Sequence, residues 1–315
     1  MRYSRMLPIY LGGWFMRGYY SGRRQLREDI AGYLFISPWL IGFLVFSVIP
    51  ILMSLYFSFT NYDILGSPIF NGFANFIRMG KDPMFYQALK VTFTYTFISV
   101  PSRLVFAFFL AALFKRASKM IRFYQAAYYL PSLVGGSIAV AVMWRRMFTA
   151  DGIFNTFLHA VGINSTISWI GNANTALGVI MVLAVWQFGS SMLIFLAGLR
   201  QIPKTYYEAA SIDGAGWFTQ FFRITLPQMT PIIFFNLIMQ LINGFTVFNQ
   251  AFIISGGRGD PQNATLVYAL YLYLRAFAYN EMGYGSALAW ILVIIIAIFT
   301  AFIFKTSDRW VYYES

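Results

Sequence analysis

Residues 208–227 read EAASIDGAGWFTQFFRITLP, and the placement of this stretch decides how the rest of the chain is laid out. It carries Glu208, Asp213 and Arg223 among small and aromatic residues, and strongly apolar sequence stands on both sides of it. Helix formers run from Tyr206 to Ala210, the glycines at Gly214 and Gly216 allow a sharp bend, and Pro227 disfavours a helix continuing through it. The expected shape is helix, turn, helix, then a fresh membrane span. By polarity alone the stretch reads as an ordinary loop between spans.

The surroundings set the class. Of 315 residues, 59% are hydrophobic, 20% aromatic and only 11% charged, against about a quarter charged in an average globular chain. Apolar runs of about 20 residues recur, long enough to cross a bilayer, so the expected fold is an all-α integral membrane protein with about six transmembrane helices. Cysteine is absent and His159 is the single histidine, which removes disulfide frameworks, thiolate metal sites and multi-histidine metal sites together. No metal site is expected.

Spans are expected near residues 31–57, 91–114, 123–147, 175–199, 229–254 and 284–304. Pro38 and Pro50 imply kinks in the first, and the second carries Pro101 and Arg103 at mid-depth. Gly135 and Gly136 in the third permit close helix approach. Residues 60–88 and 148–174 read as outer loops, and residues 264–284 could hold a helix partly re-entering the membrane. Residues 1–30 interleave arginines with aromatics. They read either as a segment lying on the cytoplasmic interface or as a basic tail, and not as a cleavable signal.

The net charge of +12 is distributed by topology and does not call for nucleic acid. Fifteen Lys and Arg fall in the segments expected inside, at positions 2–27, 115–122, 200–223 and 305–309, whereas five fall outside, at Arg78, Lys81, Lys90, Arg258 and Arg275. Both termini are therefore expected in the cytoplasm, and so is the 208–227 stretch. The chain divides into an N-terminal segment (1–30), one transmembrane domain (31–305, with the 204–227 loop inside it) and a short tail (306–315).

The fifth span is unusually polar. Asn236, Gln240, Asn243 and Gln250 fall on one helical face, where amides could meet a polar cargo or make interhelical hydrogen bonds. Gln187, Ser190 and Ser191 in the fourth span fit helix packing better, and Trp186 reads as an interface or core residue. Arg103 is costly at mid-membrane and must face a cavity or a partner. It could pair with a carboxylate of another subunit or attract an anionic cargo.

The opening stretch resembles the conserved loop of bacterial ABC-importer permeases: Glu208, Ala209, Ala210, then Gly214, then Ile224, Leu226 and Pro227 stand at that motif's spacing without departure. Phe195 to Leu199, Ile202-Pro203 and Asp213 to Ala215 are similar to the carbohydrate-uptake branch, the relatives of the maltose and glycerol-phosphate permeases. So are Ser58, Phe59, Thr60 and Tyr62, the run WRRMFTADGIFN (144–155) and the run GYGSALAW (283–290). The resemblance covers nearly everything from residue 31 onward.

It implies a permease subunit in the bacterial inner membrane, paired with a second homologous permease, two ATP-binding-cassette ATPase subunits and an external solute-binding protein. The cargo would be a sugar or oligosaccharide, with Arg103, Arg145 and Arg146 favouring an acidic one such as alginate fragments. The 208–227 stretch would be the coupling helix between spans four and five. Glu208 would offer a carboxylate to the ATPase, Ala209 and Ala210 would allow close packing, Asp213 belongs to the same motif and Gly214 supplies the bend. Trp217, Phe218 or Phe221 would anchor the contact. No GxxxxGK[ST] phosphate loop is present, so ATP and Mg would sit on the partner ATPases and this chain would hold no cofactor and catalyse nothing itself.

Two other classes stay open on the residues alone. An ion-coupled secondary transporter or channel would need paired intramembrane carboxylates, and none of the eleven Asp and Glu lies clearly within a span. The other is a membrane scaffold without transport.

Overall fold

The computed structural model describes residues 22–115 and 119–312. The expectation of an interfacial segment at the extreme N-terminus therefore lies mostly outside the described residues. The chain forms two units that divide between Ser54 and Leu55.

In the first unit, α1 (Gly22–Phe43) begins well before the expected span start at residue 31 and runs through Pro38. A π-helical turn, Leu44–Val48, leads into α2 (Ile49–Ser58), which crosses the boundary between the units. Pro50 has no N–H to return to the carbonyl four residues back, and the wider turn sits where that bond would have been. No residue from Asp29 to Met53 is buried, and Phe35 and Phe46 are 89% and 81% exposed.

The second unit opens with a hairpin, β1 (Thr60–Asn61) against β2 (Ile69–Phe70), and a short helix, α3 (Ala74–Met79). Next comes α4 (Pro83–Leu113), which starts eight residues before the expected position. The signal was present in the sequence: Asp82 caps the helix, its carboxylate accepting from the Met84 amide at 2.9 Å, and Pro83 occupies the first turn.

The expected third span is not one straight helix. α5 (Lys119–Val134) and α6 (Ile138–Met147) meet at 98°, and the glycine pair read as a packing surface is the corner itself, with Ser137 capping α6. α7 (Ile153–Ala160) lies in the following loop. The fourth span is also broken, into α8 (Ala176–Trp186) and α9 (Gly189–Gln201).

The opening stretch forms α10 (Lys204–Ile212) and α11 (Trp217–Gln220). Here a second expectation fails. A π-helical turn, Phe221–Thr225, carries α11 straight into α12 (Leu226–Phe245), so the fifth span is continuous with the second short helix. Pro227 lacks the N–H that would return to Arg223, and the π-turn lies directly before it, so the proline is accommodated at the junction.

Past a break at residues 246–248 come α13 (Asn249–Ile254), α14 (Tyr268–Tyr273) with a π-turn at Leu274–Ala278, and α15 (Met282–Ser307). Among the described residues five helical stretches are long and apolar enough to cross a membrane, and the bent α5–α6 pair supplies a sixth if counted as one span.

Two apolar cores hold the second unit together. One gathers Tyr268, Leu270, Leu288 and Phe245, and the other Phe195, Leu199, Met192 and Met229, all nearly inaccessible. α4 is long enough to contribute to both, with Val91 and Tyr95 in the first and Leu104 and Ala107 in the second.

Candidate functional site

Backbone that leaves the helical ladder inside a bilayer must find other partners, because no water is there to supply them. At Gln187, between α8 and α9, those partners are side chains. The Gln187 carbonyl accepts from the Arg103 Nη2 of α4 and from Ser132 Oγ of α5 at 2.9 Å. Ser132 Oγ in turn accepts from the Ser190 amide at 3.1 Å. The Gln187 side chain then serves the other break, its Nε2 donating to the Gly135 carbonyl at 3.0 Å. A Cβ at position 135 would overlap that glutamine, so the glycine is what admits it. Two interrupted spans thus satisfy each other's freed groups through one residue.

The third break faces the same space. α12 stops at Phe245, residues 246–248 leave the helical ladder, and α13 begins at Asn249. Between these elements lies a cavity of about 330 Å³, lined by Arg103, Gln187, Gln240, Asn243 and Gln250 together with Tyr95, Ser99, Thr246, Phe248 and Asn249. The structure therefore brings five of the six candidate path residues together. Asn236 is not among them: it is 1% exposed and donates to the Ile232 carbonyl of its own helix at 3.1 Å. The expectation of one continuous polar face fails because α12 ends before Gln250, which reaches the cavity from α13 instead. Gln240 is buried and donates to Ser191 Oγ at 3.1 Å, while Asn243 stays open to the cavity. Trp186 packs its ring on Trp144 at 5.5 Å, as a core residue does. Tyr95, Ser99 and Asn249 were missed: a tyrosine and a serine in an apolar span carry no distinguishing pattern, and Asn249 owes its position to the break.

Arg103 is the one lining residue with a formal charge. Its Nε is buried without a hydrogen-bond partner, and among the described residues no carboxylate forms an ion pair with it.

At one end of the bundle, α10 and α11 form the helix-turn-helix read from the sequence. Gly214 has φ +76°, the left-handed conformation that ends a helix. The Ala215 amide returns to the Ala210 carbonyl at 2.9 Å and the Gly214 amide to the Ser211 carbonyl at 3.1 Å, so the last carbonyls of α10 are used. Gln220 Nε2 closes the turn, donating to Ser211 Oγ and to the Ala215 carbonyl, each at 3.0 Å.

Glu208, Ala209 and Asp213 are exposed and Ala210 is half-buried, and Glu208 makes no side-chain bond among the described residues. Trp217 and Phe218 are 67% and 71% exposed, and Ile212, which sequence reading passed over, is 87% exposed. Phe221 differs from the other anchors proposed for this element. It turns inward, 6.0 Å from Phe108 of α4, and lines an apolar cavity of about 730 Å³ with Leu104, Phe195 and Tyr207. Successive side chains of a helix stand about 100° apart, so the turn that exposes Phe222 carries Phe221 round toward α4.

At the other end a polar network ties α3, the cap of α4, α14 with its π-turn, and α15. Asp82 accepts from Tyr284 Oη at 2.7 Å and from Tyr271 Oη, with the Arg275 guanidinium at 3.6 Å. Arg275 also donates to Tyr271 Oη at 2.9 Å and pairs with Glu281 at 3.2 Å, while Arg78 holds the other Glu281 oxygen at 2.7 Å. Burial works against ionisation of Asp82. The hydrogen bonds from Tyr271, Tyr284 and the Met84 amide, with the Arg275 charge, outweigh it and hold the carboxyl below its ordinary value.

With this geometry in place, comparison with known proteins is decisive. The family model described as "Binding-protein-dependent transport system inner membrane component" matches residues 85–312. The chain belongs to this family. The permease is 53% identical to the probable ABC transporter permease protein YesP of Bacillus subtilis, over 93% of this chain and 95% of that one. It is 34% identical to AraP, the arabinooligosaccharides transport system permease protein of the same organism, over 91% and 92%. Its fold matches a chain of a bacterial alginate ABC transporter solved in complex with an alginate pentasaccharide-bound periplasmic protein. The TM-score is 0.78 at 21% identity, covering 91% of this permease and 96% of that chain.

An ABC-importer permease is a transport subunit, and family membership sets aside the ion-coupled and scaffold alternatives. It also explains where the polar residues are. In this permease the interrupted helices and their amides meet inside the bundle, and the exposed Glu208 and Ala209 stand at its end.

Proposed function

We propose that this permease forms part of the path by which a sugar or oligosaccharide, handed over by a solute-binding protein, crosses the inner membrane. A second homologous permease completes the path. One of two ATPase subunits docks on α10 and α11 in the cytoplasm, where both termini also lie, and those subunits carry ATP and Mg. The observation that carries the reading is the meeting of two helix interruptions, at Gln187 and at residues 246–248, on one amide-lined cavity, with the α5–α6 corner bonded to the first of them through Gln187. Non-helical backbone at membrane depth is tolerated where it lines a path, and binding sites in transporters are built from such broken helices. Gln240, Asn243 and Gln250 can donate to and accept from sugar hydroxyls, and the rings of Tyr95 and Phe248 offer apolar surface to a pyranose face. Kinship with an arabinooligosaccharide permease and likeness of fold to an alginate transporter support the same class.

The mechanism follows from the connection between the two ends. Closure of the ATPase dimer displaces α10 and α11, the continuous α11–α12 helix transmits that displacement, and the break at residues 246–248 reshapes the cavity. The test is uptake of labelled oligosaccharides by the assembled transporter in proteoliposomes, with Glu208→Lys alongside. The variant is expected to lose most cargo-stimulated ATP hydrolysis in a complex that still assembles. Unchanged coupled hydrolysis would refute the role of α10, and uptake without ATP would refute the energy source.

A further inference from the structure

We propose that Arg103 reads a carboxylate on the cargo, so that the transported sugar carries a uronic acid. This rests on the cavity being a sugar path, and names the class of sugar.

A guanidinium within a span is expensive unless it faces a cavity or a counter-charge. Arg103 meets the first condition, since it lines the cavity, and lacks the second, since among the described residues no carboxylate pairs with it. Arg145, the other arginine nearby, is spent on the Ile253 carbonyl at 3.3 Å and does not line the cavity.

The hydrogen bonds of Arg103 also point to a ligand. Nη2 is committed to the Gln187 carbonyl, which fixes the plane of the guanidinium, and Nε is left buried with no partner. A charged group held with an unmet N–H and no counter-ion is costly, and a carboxylate in the cavity is the partner that answers the missing charge. The planar fork of arginine suits a carboxylate better than the point charge of a lysine would. One cation stands among neutral groups, so a monoanion is matched and a dianionic phosphate would bring an uncompensated charge. Around that cation Ser99, Gln240, Asn243 and Gln250 offer partners for hydroxyls. A single negative charge on a polyhydroxylated ring is the description of a uronate residue.

The experiment compares digalacturonate with its neutral methyl ester in proteoliposomes holding the assembled transporter and its binding protein. Arg103→Gln keeps a donor for the Gln187 carbonyl and removes the charge, and Arg103→Lys keeps the charge without the fork. The wild-type transporter is expected to take up the acid in preference to the ester. Arg103→Gln is expected to lower uptake of the acid by about tenfold or more relative to the ester, with partial rescue in Arg103→Lys.

A parallel loss of acid and ester in Arg103→Gln would overturn the proposal in favour of a purely structural arginine. Wild-type uptake of the ester alone would also overturn it while leaving the sugar path intact, and uptake of neither would remove both. Should both variants fail to assemble, a wild-type preference for the acid still supports the class of sugar, and a preference for the ester overturns it.

Discussion

Tyr207 of α10 and Thr225 of the π-turn join their hydroxyl groups across 2.8 Å, tying the exposed helix-turn-helix to the start of the fifth span. The Lys115 ammonium lies over the face of the same tyrosine, 4.2 Å from its centroid, so α10 is also held to the end of α4. Tyr207→Phe keeps the ring and its cation contact but leaves the buried Thr225 with a weak 3.5 Å contact to the Gln220 carbonyl. A cost of about 1 kcal/mol is expected. Assembly should persist while cargo transported per ATP falls, which paired uptake and hydrolysis measurements would detect.

At the turn itself, Gly214→Val places a branched side chain at φ +76°. Nothing lies within 4 Å of where its Cβ would be, so the penalty is backbone strain alone, about 1–2 kcal/mol. Gly214→Asn, which tolerates the left-handed region, is expected to recover most of the lost thermal stability of the complex. Equal loss in both variants would mean that the space matters and the conformation does not.

Gln187→Leu removes the donor to Gly135 while leaving the backbone carbonyl that Arg103 and Ser132 share. The Gly135 carbonyl at the 98° corner would then lose its side-chain donor, although the two bulky side chains are close in volume. Interhelical bonds of this kind are worth about 0.6–2 kcal/mol. The variant should insert normally and lose transport more than stability, measured as uptake against detergent melting temperature.

The Asp82 network sets a pH dependence. Its folded-state carboxyl lies below the ordinary value of 3.8, so its contribution is fully present above that value and is lost as pH falls through the folded one. Melting temperature of the wild type should owe no change to this group from neutral pH down to about pH 5. Asp82→Asn should lower it across that range, since Tyr271, Tyr284 and Arg275 lose their shared anion, and the two proteins should converge only in strong acid. A deficit that does not shrink even in strong acid would place the effect in packing.

Much of this architecture was legible from residues. Composition settled the membrane class, and the recurring apolar runs located the spans. The helix-turn-helix could be read because Gly214 and the helix formers before it report local backbone preference. The interruptions were not legible in the same way. Gln187 and Gly135 stand at helix breaks that meet each other across the bundle, and a window of sequence sees only an apolar run of spanning length. Pro227 misled for a related reason: a local rule marked a stop, while the π-turn at Phe221–Thr225 let the helix continue. The Asp82 network joins residues some two hundred positions apart, and no local pattern announces it. The resemblance implies Trp217, Phe218 or Phe221 as an anchor without distinguishing them, and only the helix rotation shows that Phe221 faces Phe108.

The unbroken helix from Trp217 to Phe245 has a mechanical consequence. At 1.5 Å of rise per residue it is a rod of about 40 Å. Pivoted near one end, it turns an angular change of about 5° into a displacement of roughly 3.5 Å at the other. That is comparable to the length of a hydrogen bond, so a small tilt imposed at Trp217 is enough to make or break every contact that Gln240 and Asn243 offer.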